Sequence, residues 1–394
     1  MSSTLRLKIL LFMLVRTLVN TMHRMVYPLL PTFARGVGVN VETFTLALTA
    51  RALLSAFSPF IGSISDQRGR KFGMLVGLAL FLAGTSLVVI WPTFPALVMS
   101  MLLCTTGKYV LDPSLHAYMG DQVPYAQRGL AIALLEFGWS LSFILGIPLV
   151  GFLIARAGWL SPFPLLAGLT VLAILLILRF VPSEAHPHPT QKTSLWVGIR
   201  DILSHPSAVA GLLFGLLMSA ANETINIVFG LWLEQSFNLQ VAALGAASLV
   251  IGLSELSGES LVGGITDRLG KMRAITGGLI LNSLMALALP VFGRTLPGAL
   301  VGLFLFYLTF EFTIVSAIPM MTEILPTRRA TLLAVNISAF SVGRALASWL
   351  ATPVFAWGIF ASAGVSFLFN LGALIALRWI KVEEPVRPVE EPAS

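Results

Sequence analysis

Apolar residues run along this chain in long blocks, and polar residues fall between the blocks or singly within them. About 20 mainly apolar residues suffice to cross the hydrocarbon core of a bilayer as an α-helix. Twelve blocks meet that length: residues 7–33, 44–64, 72–91, 96–118, 129–155 and 160–181, then 208–237, 242–265, 272–292, 297–321, 331–354 and 357–380. We number them spans 1 to 12. Residues 1–181 and 207–382 thus predict two six-helix bundles, joined by a polar linker (182–206) and followed by a tail (383–394). Within the linker, Leu195, Trp196, Ile199, Ile202 and Leu203 share one helical face opposite Arg200 and Asp201. That pattern predicts a short amphipathic helix on the membrane surface.

Composition agrees. Of 394 residues, 56% are hydrophobic and only 11% are Asp, Glu, Lys or Arg, against about 25% charged in a soluble domain. A net charge of +7 would fit a nucleic-acid partner, but in membrane proteins Lys and Arg report topology. With both termini in the cytoplasm, cytoplasmic segments hold seventeen of them; outer loops hold Arg35, Arg156 and Arg294, and five lie within spans. The expected partner is therefore the lipid of an inner or plasma membrane crossed many times, and no nucleic acid is required. A lone cysteine, Cys104, excludes a disulfide framework. Arg6 and Lys8 precede an apolar run that Arg16 interrupts, which does not read as a cleavable signal peptide. His186 and His188 sit among linker prolines and read as solvated residues. No phosphate-binding glycine loop, nucleotide fingerprint or His-Glu-x-x-His motif occurs, so direct ATP drive, a bound cofactor and a resident metal are not expected.

The halves repeat at an offset of about 201–202 residues. Gly62-Ser-Ile-Ser-Asp66-Gln-Arg-Gly69-Arg70 aligns with Gly263-Gly-Ile-Thr-Asp267-Arg-Leu-Gly270-Lys271. Asn20 falls on Asn222, and Asp121-Gln-Val-Pro124 on Glu323-Ile-Leu-Pro326. A parallel six-plus-six duplication is a transporter pattern, with a substrate site at mid-membrane between the halves.

Gly62-x-x-x-Asp66-x-x-Gly69-Arg70-Lys71, with its degenerate second copy, resembles the signature loop between helices 2 and 3 of the major facilitator superfamily. Length, span count and linker fit across nearly the whole chain. The resemblance implies an all-α major facilitator fold working by alternating access, in which this cluster locks the cytoplasmic side when the outer side opens. Asp66, Arg70, Asp121 and Asp267 are the gating residues it implies. Span 5 carries Gly138, Gly146, Pro148 and Gly151, which resembles the Gly/Pro motif of bacterial drug–proton antiporters and adds Gly146 and Pro148 to that set. The match departs from the family in a proline one residue late, a single terminal glycine, and Lys108 where span 4 of those antiporters carries arginine. On this resemblance the chain is an efflux permease, functional as a monomer, exporting a small amphipathic or organic molecule against protons.

The intramembrane charges locate the chemistry. Basic ones are Arg16, Arg24, Arg51, Lys108 and Arg344; acidic ones are Asp112, Glu136, Glu223, Glu255, Glu259 and Glu311. At roughly 3 kcal/mol each on an insertion scale, eleven lipid-facing charges would cost about 30 kcal/mol, more than the stability of a typical domain. They are expected to face inward, to pair, or to line water. Arg16, Asn20, Arg24 and Tyr27 share one stripe of span 1. Four of five bases lie in the first half and four of six acids in the second, which predicts a basic wall facing an acidic wall. Expected substrate-binding residues are Asn20, Arg24, Tyr27, Arg51, Lys108, Asn222 and Asn226. A desolvated carboxyl can exchange protons as access alternates, so Glu223 and Glu311 are expected to couple protons. Glu255 and Glu259 are further candidates, of which only one is expected to face the cavity because they lie a turn apart. Arg16 with Asp112 or Glu136 reads as a fixed or gating ion pair. Two other functions stay open: uptake or flipping of an anionic solute (organic acid, sugar phosphate or lysolipid) held by the arginines, and a membrane-embedded lipid-modifying enzyme. The enzyme reading rests on His116-x-x-x-x-Asp121, an acyltransferase spacing better explained as chance.

Overall fold

Pro28 divides the first membrane helix in two. A proline donates no backbone N–H and its ring clashes with the preceding turn. In the computed structural model, which describes residues 3–61, 69–182 and 195–381, span 1 runs as Ser3–Arg24, an irregular stretch at residues 25–29, and Leu30–Gly36. Apolar spacing alone predicts a single helix over residues 7–33. The break leaves His23 and Arg24 in the last turn of the longer piece, where a cation is favoured by the carbonyl ends of the helix.

Among the described residues, ten helices are long and apolar enough to cross a membrane: Arg70–Ile90, Phe94–Gln122, the bent span 5, Pro162–Phe180, Pro206–Phe237, span 8, Lys271–Phe292, Leu296–Ile324, Arg329–Phe355 and Ile359–Leu377. Span 1, diluted by its arginines, and span 2 (Val41–Ser55 and Ser58–Ile61) complete the twelve. The 109° turn between Leu30–Gly36 and Val41–Ser55 is the hairpin joining spans 1 and 2, so it is not a broken span. Among the described residues the chain is all-α, in two pseudo-symmetric six-helix bundles.

The repeat reappears as geometry. Gly69 and Gly270 cap spans 3 and 9 with φ of 94° and 82°, a region almost closed to residues with a Cβ. One residue on, Arg70 pairs with Asp121 at 3.4 Å, and Lys271 pairs with Glu323 at the equivalent place. Both pairs lie within their own halves. Asp66 falls outside the described residues, as do His186 and His188; the helix carrying Asp267 is described, its side chain is not.

Span 5 consists of Tyr125–Leu141, a π-turn at Ser142–Gly146, and Ile147–Ala157. Pro148 lies just beyond the turn, which supplies the wider loop a helix needs to pass a residue without an N–H. Gly146 packs on Thr21 of span 1, whose side chain occupies the place of a Cβ.

The halves meet at the end of the bundle remote from the linker. There a Cβ on Gly151 of span 5 would lie 3.0 Å from the Cα of Gly245 on span 8, and the reverse holds equally. Arg35 pairs with Glu234 at 2.7 Å, and Thr352 Oγ1 donates to Thr45 Oγ1 at 3.2 Å. At the linker end, the helix Leu195–Ser204 lays Trp196 on Phe60 of span 2, ring centroids 5.6 Å apart. The same helix receives Arg328 of the second half on Asp201 at 3.1 Å.

Candidate functional site

Between the halves, on the linker side of that closure, lies a cavity of about 460 Å³. Its wall takes His23, Arg24 and Tyr27 from span 1 and Ala133, Glu136 and Trp139 from span 5. The second half contributes Asn222, Glu223 and Asn226 from span 7, Glu255 and Glu259 from span 8, Tyr307 to Ile318 from span 10, and Arg344 from span 11. Six spans from both bundles thus aim ionisable groups into one chamber.

Most of those groups are already satisfied. Arg24 forks onto Glu255, one prong at 3.0 Å, so the ion pair crosses the seam. Its guanidinium also lies against the rings of Trp139 and Phe143, 4.0 and 3.7 Å from their centroids, and donates to the Trp139 carbonyl at 3.2 Å. Cation–π contacts of this kind contribute about 0.5–2 kcal/mol each. Glu223 accepts from the Tyr27 hydroxyl at 2.9 Å and from Asn226 at 3.2 Å. Tyr307 donates to Asn226 Oδ1 at 3.0 Å. Behind Tyr27, Arg51 donates to its hydroxyl at 2.8 Å and to the His23 carbonyl at 2.7 Å.

A second cluster lies within the first half. Arg16 contacts Glu136 at 2.8 Å and Asp112 at 3.5 Å. Lys108 bridges Asp112 at 2.5 Å and Asn20 at 2.8 Å. His116 Nε2 meets Glu136 at 2.7 Å. The two acids of this cluster offset its arginine and lysine, leaving Glu136 as its member on the cavity wall. His116 and Asp121 serve different partners, Glu136 and Arg70, so they form no His–Asp pair.

Of the expected substrate-binding set, Arg24, Tyr27, Asn222 and Asn226 line the cavity. Asn20, Arg51 and Lys108 are buried behind its wall, where they brace other residues. All four carboxylates expected to couple protons reach it, including both Glu255 and Glu259; the turn between them points Glu255 at Arg24 and leaves Glu259 further toward the linker end. The basic wall is neutralised from within. Arg344 is one of the intramembrane charges and stands outside the expected binding and coupling sets. Together with Glu259 and Glu311, it lines the cavity with no hydrogen bond or ion pair among the described residues. His23, Trp139 and Tyr307 were also missed. For Tyr307 a signal existed: an aromatic hydroxyl one turn before Glu311 on an otherwise apolar helix.

Comparison with known proteins agrees with this architecture. The model of the Major Facilitator Superfamily matches residues 12–348. An uncharacterized MFS-type transporter, YceJ, of Bacillus subtilis is 29% identical, covering 87% of this chain and 88% of its own. A multi-drug resistance efflux pump PmrA homolog of Lactococcus lactis is 26% identical over 68% of each chain. Among solved structures, a peptide transporter POT in complex with sulfate superposes with a TM-score of 0.76 at 15% identity, covering 94% of both chains; at that identity the likeness concerns the fold.

Proposed function

The chain belongs to the Major Facilitator Superfamily, and on that premise we propose that it is a secondary active transporter exporting a small amphipathic organic solute in exchange for protons. The two halves, residues 1–181 and 207–382, are the rocking bodies. The bias of Lys and Arg toward one face supports a cytoplasmic position for both termini and the linker; in that orientation the cavity faces inward and the Gly151–Gly245 contact closes the outside. One chain encloses the whole cavity, which favours a monomer as the working unit.

The observation that carries this reading is the chamber at the seam, with Glu223, Glu255, Glu259 and Glu311 on one wall. A basic solute and protons compete for such carboxylates, and competition for one site in both orientations is what exchange requires. Arg24 and Glu255 tie the halves together in the inward-facing state, and Arg70–Asp121 and Lys271–Glu323 stiffen the cytoplasmic loops. Resemblance to multidrug efflux relatives supports export.

The test is flux in proteoliposomes. Glu223→Gln and Glu311→Gln should abolish transport driven by a pH gradient yet spare solute counterflow. Full proton-driven transport in both variants overturns the assignment.

A further inference from the structure

We infer that the solute is amphoteric, its acidic group docking on Arg344 and its basic amine on Glu311 and Glu259. This rests on the cavity being the transport site. The cavity's Arg and Glu side chains divide into those bonded within the protein and three that are not. Arg24, Glu136, Glu223 and Glu255 are committed to partners. Arg344 on span 11, Glu259 on span 8 and Glu311 on span 10 are not. Arg344 shares the cavity wall with Glu223 and Glu311 and bonds to neither.

Charges held partly out of water need compensation, and the three free groups are of both signs. A purely cationic solute satisfies the carboxylates and leaves the guanidinium facing a like charge. A purely anionic one satisfies the guanidinium and sets an anion against two carboxylates. Only a molecule carrying both groups serves all three. A guanidinium grips a carboxylate or phosphate through two parallel N–H bonds, so Arg344 is the acid receptor. Both carboxylates line the same cavity, and spans 8 and 10 touch beside them: a Cβ on Gly258 would come within 2.9 Å of the Glu311 Cβ. Phe310, Ile314, Val315 and Ile318 face the same space, which calls for an apolar body joined to the charged head.

Three fluorescent probes with one apolar body test this. Nε-dansyl-lysine carries both an amine and a carboxylate, dansylcadaverine the amine alone, and 6-(dansylamino)hexanoate the carboxylate alone. The purified wild-type protein should bind dansyl-lysine at least tenfold more tightly than either of the others. Arg344→Gln should bring dansyl-lysine down to dansylcadaverine, and Glu311→Gln should cut its advantage over the hexanoate. Arg344→Lys, which keeps the charge but loses the fork, should fall between wild type and Arg344→Gln. Equal binding of dansylcadaverine and dansyl-lysine, an unchanged ratio in Arg344→Gln, or no binding of any probe overturns the inference. Selective binding of dansyl-lysine with no flux of it into proteoliposomes would instead strike at the transporter reading while the binding inference stood.

Discussion

Arg24 on span 1 and Glu255 on span 8 form a forked ion pair across the seam between the two halves, with both side chains almost wholly buried. Two charges in such a place stabilise little together and cost much apart. Glu255→Gln or Arg24→Gln alone should lower unfolding stability by about 3–5 kcal/mol, since each strands a buried charge. The double variant should lose clearly less than the sum. Thermal unfolding of the purified protein reads both, and additive losses would mean that the pair is not coupled.

Arg35 and Glu234 also join the halves, but at the exposed rim, where the arginine is 59% accessible. Solvent screens that pair, and exposed pairs contribute roughly 0.2–1 kcal/mol. Glu234→Gln should therefore shift the same unfolding curve by less than about 1 kcal/mol, and raised salt should erase the difference.

The contrast between these two pairs marks what a sequence conveys. Spans, duplication and the inward-facing stripe of span 1 follow from apolar spacing and the cost of charge in lipid, both local properties. Which cation meets which carboxylate is not local: Arg24 and Glu255 lie 231 residues apart, and spacing gives no hint that this arginine is neutralised while Arg344 is left open. The sorting of charges by half predicted a basic wall, whereas folding pairs Arg16 and Lys108 inside their own bundle. The break in span 1 was foreshadowed by Pro28, and the π-turn of span 5 by Pro148. Apolar periodicity was too strong to reveal either.

Where Gly151 and Gly245 touch, neither carries a side chain to hold the helices apart. Gly245→Val should wedge the outer end open with the fold intact. A cysteine placed by Thr352→Cys in a Cys104→Ser background is buried beside Thr45 when the end is closed. It should react with an impermeant maleimide at least several-fold faster once the wedge is present, and transport should fall in parallel.

Gly270 and Gly264 should respond in opposite directions. Gly270→Ala forces a Cβ into a backbone region reserved for glycine and should cost about 1–3 kcal/mol. Gly264 is helical with nothing near its Cβ position, so Gly264→Ala should stabilise by roughly 0.5–1 kcal/mol. Thermal unfolding of the two variants side by side checks the sign of each.

The linker helix grips both bodies, Trp196 resting on Phe60 of the first and Asp201 holding Arg328 of the second. If the bundles change their separation at that face, one hold must let go. A single tilted ring pair and one ion pair about a third exposed contribute only about a kcal/mol apiece. In such a motion the connector would act as a soft brake, strong enough to bias the resting pose and weak enough to slip.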